Sequence, residues 1–179
     1  VYFGGGTPIL LADEMRDIIL SVHKTPKCEI TVEANPCCAT EKTISTLVNA
    51  GVNRISFGVQ SFSDYELKQL GRRHTRQQAI NAINLAYKHG IENISVDVML
   101  GTPSQTKKSV LETISTISSL PIKHVSAYML KIEEGTPLAK SELRFLCADE
   151  EKSADFYLFA CGELEKRGYE QYEISNFAK

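Results

Sequence analysis

Apolar residues along this chain fall into two alternating patterns. Short runs rich in β-branched and aromatic side chains, at Val1–Phe3, Glu29–Glu33, Arg54–Val59, Ile94–Leu100 and His124–Ile132, read as strands. Between them apolar residues recur three and four positions apart, as in Met15, Ile18, Ile19 and Val22, or in Ile80, Ile83, Ala86 and Tyr87, which places them on one side of a helix. The last such stretch, Glu150–Arg167, is long and amphipathic.

Local punctuation agrees with this pattern. Helix starts are expected at Asp13-Glu14, at Thr40 with Lys42 and Thr43, at Ser63-Asp64, at Thr75 with Gln78, and at Ser104 after Pro103, where a short oxygen-bearing side chain can accept from the free amides of a first turn. Gly51, Gly71, Gly90 and Gly168 each follow a helical run and suit its left-handed closing residue. The polar stretch Glu133–Arg144, with its Gly-Thr-Pro turn, reads as a longer excursion.

Strand followed by helix, repeated along the chain, predicts an α/β fold of parallel strands joined by right-handed crossovers, with both faces of the sheet covered. A partial TIM-type (β/α) barrel forming one domain over residues 1–179 is favoured over a doubly wound sheet. Val1-Tyr2-Phe3 runs straight into glycines without an initiator Met, and Glu173–Lys179 stops without a tail pattern, so both ends read as lying inside a larger domain. The edge of a Val1–Phe3 strand would then invite pairing with another chain.

Charge narrows the partners. Twenty basic and 22 acidic residues are mixed along the length for a net charge of −2, which points away from nucleic acid and anionic membrane. No apolar stretch approaches the roughly 18 residues of a membrane span, and no signal peptide is apparent, so a soluble cytoplasmic protein is expected. The five cysteines, Cys28, Cys37, Cys38, Cys147 and Cys161, lack a Cys-x-x-Cys spacing and read as reduced thiols with no metal role.

In parallel α/β folds chemistry gathers at the carboxyl ends of the strands. Those tips are Gly4-Gly5-Gly6-Thr7-Pro8, Glu33-Ala34-Asn35-Pro36, Gln60-Ser61-Phe62, Asp97 with Gly101-Thr102-Pro103, and Lys131-Ile132-Glu133-Glu134. Consecutive glycines allow a ligand close to the backbone, although a plain tight turn explains them equally well. Glu33 and Asp97 are carboxylates in apolar surroundings and need a cationic or hydroxyl-bearing partner, from a ligand or from an internal bridge of Glu33 to Arg54 or Arg72. Gln60 offers a donor and an acceptor, and Arg72 and Arg73 suit a carboxylate. His74 reads as a surface histidine, and Tyr169, Tyr172 and Phe177 as packing residues.

Taken together, Tyr2–Pro8, Glu33–Pro36, Gly58–Phe62, Gly71–His74 and Asp97–Pro103 resemble, in order and spacing, the radical S-adenosylmethionine core of the coproporphyrinogen dehydrogenase-like family. The resemblance implies a barrel in which a [4Fe–4S] cluster and S-adenosylmethionine meet, with Gly5, Gly6, Thr7, Glu33, Gln60, Arg72 and Asp97, and the backbone of Lys131, as S-adenosylmethionine contacts. The family's Cys-x-x-x-Cys-x-x-Cys loop is absent and is expected upstream of Val1, so this polypeptide alone is expected neither to assemble the cluster nor to make a radical. Within the family, Tyr172–Lys179 and Ser61 resemble the HemW type, a haem chaperone whose partners would be haem or porphyrin and a client haemoprotein. The HemN type, an oxidoreductase acting on coproporphyrinogen III in porphyrin biosynthesis, is the alternative. A (β/α) barrel lyase with Glu33 or Asp97 as general base stands outside the family.

Overall fold

The computed structural model describes residues 1–179. Its elements are β1 (Tyr2–Phe3), α1 (Ala12–Ser21), β2 (Thr31–Ala34), α2 (Glu41–Ala50), β3 (Arg54–Gln60), α3 (Asp64–Gln69), α4 (Arg76–Lys88), β4 (Asn93–Leu100), α5 (Lys107–Ser118), β5 (His124–Met129), α6 (Pro137–Lys140), α7 (Glu150–Glu165), β6 (Glu170–Glu173) and β7 (Asn176–Ala178), with short 3-10 turns at Pro8–Leu11, Pro36–Cys38 and Glu142–Leu146. They build one seven-stranded open sheet in the order β1-β2-β3-β4-β5-β7-β6.

The first five strands are parallel, as the strand-helix rhythm predicts. The hairpin β6–β7 was not expected: β7 runs antiparallel to β5, with Phe177 opposite Val125. Its outer strand, Glu-Gln-Tyr-Glu, is exposed throughout and carries no apolar alternation to announce it.

The two faces of the sheet differ in kind. Val32, Ala34, Ile55, Phe57, Ile94, Val96, Val98, Val125 and Ala127 point to one face and join α1, α2, α4, α5 and α7 in a single core cluster of 35 buried residues. On the opposite face the register aligns Thr31 with Arg54 and Asn93, Glu33 with Ser56 and Ser95, and Asp97 with Ser126. No side chain of this polar stripe belongs to the core cluster. The expectation that both faces are covered is therefore corrected: the long helices pack on one face only, because the other offers them no hydrocarbon to bury.

Thr40, Thr75 and Thr106 form capping boxes, and Ser63 accepts from the Glu66 amide. Two expected starts move. Thr106, not Ser104, caps α5, and α1 begins at Ala12 out of the Pro8–Leu11 turn with no side-chain cap, so Asp13 lies already inside the first turn. Gly51, Gly71, Gly90 and Gly168 all have positive φ at helix ends. No helix is long and apolar enough to cross a membrane.

Candidate functional site

At the carboxyl ends of β1 and β2, beside the middle of β3 and β4, the polar stripe opens into a cavity of about 160 Å³, lined among others by Gly6, Thr7, Glu33, Ser56, Arg72 and Asp97. Glu33 is held there by its neighbours. Its Oε1 accepts from the Tyr2 hydroxyl at 2.5 Å and its Oε2 from the Gly5 amide at 3.0 Å. Neither Arg54 nor Arg72, the internal partners considered for it, makes that bond. Gly4 lets the carboxylate sit so close to the loop: a Cβ there would lie 2.6 Å from Tyr2 Cε1 and 3.2 Å from Glu33 Oε1.

Arg72 follows the helix-closing Gly71, whose positive φ of 68° turns the chain toward the cavity. Its side chain is half-buried, lines the cavity and forms no ion pair. Burial lowers its pKa, against the pull of Asp97. Five guanidinium donors are thus available to a ligand, in a geometry that matches a carboxylate.

Asp97, between Val96 and Val98, is pushed up to about 6 by burial first and by the nearby Glu33 charge second, with Ser56 and Arg54 opposing; the Ser126 hydroxyl is near enough to oppose as well, but its hydrogen goes to Asn176 at 2.8 Å. The Ser56 hydroxyl stands 3.5 Å from Oδ1, at the outer limit of a hydrogen bond. Two acids facing one unpaired guanidinium across a glycine loop form a site for a small zwitterion that carries further hydroxyls.

Three other residues taken as contacts are not among those lining the cavity. Gly5 gives its amide to Glu33 and lines a separate apolar groove with Tyr2, Pro8, Leu11 and Met15. Gln60 sits on a β-bulge: β3 carries one residue more than β4 between the pairs Phe57–Val96 and Gln60–Val98, and Gln60 takes φ 69°. Its amide turns back to within 3.3 Å of where a Gly58 Cβ would be, at the rim of the cavity. Lys131 lies beyond the end of β5, is 83% exposed and pairs with Glu133 at 2.9 Å.

A buried polar network behind the cavity escaped sequence reasoning. Glu66, 2% exposed, accepts at Oε2 from Ser61 Oγ at 2.7 Å and from Gln105 Nε2 at 3.1 Å, while Gln105 Oε1 accepts from the Gly101 amide at 2.7 Å. It ties the tip of β3 to the loop after β4. Tyr2 and Ser126 were also missed, although alternation along β1 and β5 puts both on the polar face. His74 corrects a further expectation: it is 2% exposed, with Nε2 against Val59 O at 3.0 Å and Nδ1 unpartnered. Tyr169 and Phe177 are packed as expected, but Tyr172 is 63% exposed.

Residues 1–117 match the model of the radical SAM superfamily, and the chain belongs to that superfamily. More particularly, it is 38% identical to Heme chaperone HemW of Bacillus subtilis over 187 residues, and 36% identical to Heme chaperone HemW of Lactococcus lactis over 184. These alignments cover 100% and 99% of this chain but 49% and 48% of the relatives, so it spans about half of their length. Among solved structures, coproporphyrinogen III oxidase HemN from Escherichia coli superposes with a TM-score of 0.85 at 21% identity, covering 99% of this chain and 42% of that one. That likeness establishes a shared fold.

Superfamily membership implies S-adenosylmethionine and a [4Fe–4S] cluster. The cavity fits the first: its donors and acceptors answer a carboxylate, an ammonium and hydroxyls. The residues of this chain do not fit the second, since no three His, Cys, Asp or Glu side chains converge as ligands and the one contact between two cysteines is Cys37 Sγ to Cys38 Sγ at 3.6 Å.

Proposed function

We propose that this chain is the S-adenosylmethionine-binding core of a HemW-like haem chaperone, whose cluster cysteines lie upstream of Val1 and which hands haem to a client haemoprotein. One observation carries the binding site: the unpaired Arg72 guanidinium shares a polar cavity with Glu33 and Asp97. Arg72 is suited to grip the methionine carboxylate in two places, the two acids to take its ammonium and the ribose hydroxyls, and Gly6 and Thr7 to admit it close to the backbone. With S-adenosylmethionine and a reduced cluster bound, the pair would supply one-electron radical chemistry. The residues present here bind and orient. Identity of 36–38% to HemW proteins along the whole chain supports the chaperone over the HemN-type oxidase, as does the Tyr172–Lys179 stretch.

Calorimetric titration of the full-length protein tests the site. Wild type is expected to bind S-adenosylmethionine, and Arg72→Met to lose about tenfold or more in affinity without a lower melting temperature, because the guanidinium pairs with nothing in the fold. Wild type that fails to bind, or an Arg72→Met variant that binds normally, would overturn the assignment. Haem titration, haem transfer to an apo-haemoprotein and a coproporphyrinogen III decarboxylation assay test the rest. Haem uptake and transfer are expected, and decarboxylation at enzyme-like rates would replace the chaperone by the oxidase.

A further inference from the structure

The hairpin strand that carries the HemW-like stretch is wired to the acid at the centre of the cavity. Asp97 on β4, Ser126 on β5 and Asn176 on β7 are direct neighbours in register on the polar face. Ser126, 6% exposed, donates its hydroxyl to Asn176 Oδ1 at 2.8 Å. The Asn176 amide is held in that orientation from its other side. Its Nδ2 donates to Glu173 Oε1 at 2.7 Å, and the same oxygen accepts from the Ser175 amide at 2.6 Å.

A serine hydroxyl has one hydrogen. Given to Asn176, it cannot also be given to Asp97, whose other hydroxyl neighbour, Ser56, is at 3.5 Å. We propose that Asn176, its amide fixed by Glu173, is a positioning residue that draws the Ser126 proton away from Asp97 and so keeps that carboxylate's lone pairs free for a ligand. What this does for S-adenosylmethionine rests on the function proposed above; the direction of the Ser126 proton does not.

The charged and titratable groups around Asp97 are Glu33 from β2, Arg54 from β3, Arg72 from the loop after α3 and Tyr2 from β1. None of them changes in the test. The ¹³C shift of the Asp97 carboxyl is followed against pH in the full-length protein. Asn176→Ala is expected to lower its midpoint by about one pH unit, since Ser126 then has only Asp97 to serve. Ser126→Ala is expected to leave the midpoint within about 0.3 unit of wild type, and the double variant to abolish the Asn176→Ala shift. General loosening of β7 would survive in the double variant, whereas the proton effect would not. An unchanged or raised midpoint in Asn176→Ala, or a rise of about one unit in Ser126→Ala, would overturn the proposal. Failure of wild type to bind S-adenosylmethionine would sink the ligand assignment and leave the carboxyl titration to judge Asn176 by itself.

Discussion

Tyr2 donates its hydroxyl to Glu33 Oε1 at 2.5 Å, across the pair of strands that opens the sheet. The bond, with burial and the charge on Glu33, pushes the Tyr2 pKa up to about 12, so the phenol stays protonated and remains a donor at all ordinary pH values. Glu33 is thereby aimed from two sides, by this hydroxyl and by the Gly5 amide.

Tyr2→Phe removes one of those two guides and little else, because the ring is 60% exposed. Affinity for S-adenosylmethionine is expected to fall about three- to tenfold, while the melting temperature stays within a degree or two of wild type. Calorimetric titration of both proteins checks it. Unchanged affinity would mean that Gly5 alone sets the carboxylate.

Asp97 carries a pH signature. Its pKa is about 6 in the fold against an ordinary 3.8, so the folded protein holds more protons than the unfolded chain between those values. Stability therefore falls as pH rises through that window, and the full penalty is present above it. Asp97→Asn is expected to stabilise the protein by about 1–2 kcal/mol near pH 7.5 and to lose that advantage by about pH 4. Urea unfolding at the two pH values reads this directly, and an advantage that persists in acid would contradict the assignment.

The Ser61–Glu66 pair predicts a strong contrast between two substitutions. Ser61→Ala removes one hydrogen bond to a buried carboxylate, an expected loss of about 1–3 kcal/mol. Ser61→Asp sets a second carboxylate against the first in the same closed space, with an expected loss of about 3–5 kcal/mol. Denaturant curves for both variants at neutral pH separate the cases; equal losses would show that the closed space around Glu66 accommodates a second carboxylate.

The parallel part of the fold was legible because hydrocarbon marks it. Ile55, Phe57, Val96 and Val125 stand in runs that only a strand buried on one face explains, and Thr40, Ser63 and Thr75 announce the helices that follow. Much of what the sequence hid is polar material whose burial depends on distant partners. Glu66, in the first turn of a short helix, looks like any exposed acid until Ser61 and Gln105 close over it. His74 sits between arginines and a capping threonine and reads as surface, yet it is enclosed with its Nε2 on Val59. The same limit applies to the site. Glu33 and Asp97, carboxylates in apolar strands, line one cavity with Arg72 from the loop after α3, whereas Gln60 sits on a bulge that no composition rule reveals, and Lys131 lies beyond a strand that ends at Met129.

The antiparallel hairpin makes the two margins of the sheet unlike. At one margin β6, separated from β5 by the reversed strand β7, displays Glu170 and Glu173 outward, so an approaching strand meets a line of negative charge. At the other, β1 is two residues long, runs with its neighbours and has an apolar groove beside it. Of the two margins, the one beside Glu33 and its glycine loop is therefore the less guarded against an incoming strand, so a polypeptide that pairs there reaches the ligand cavity first.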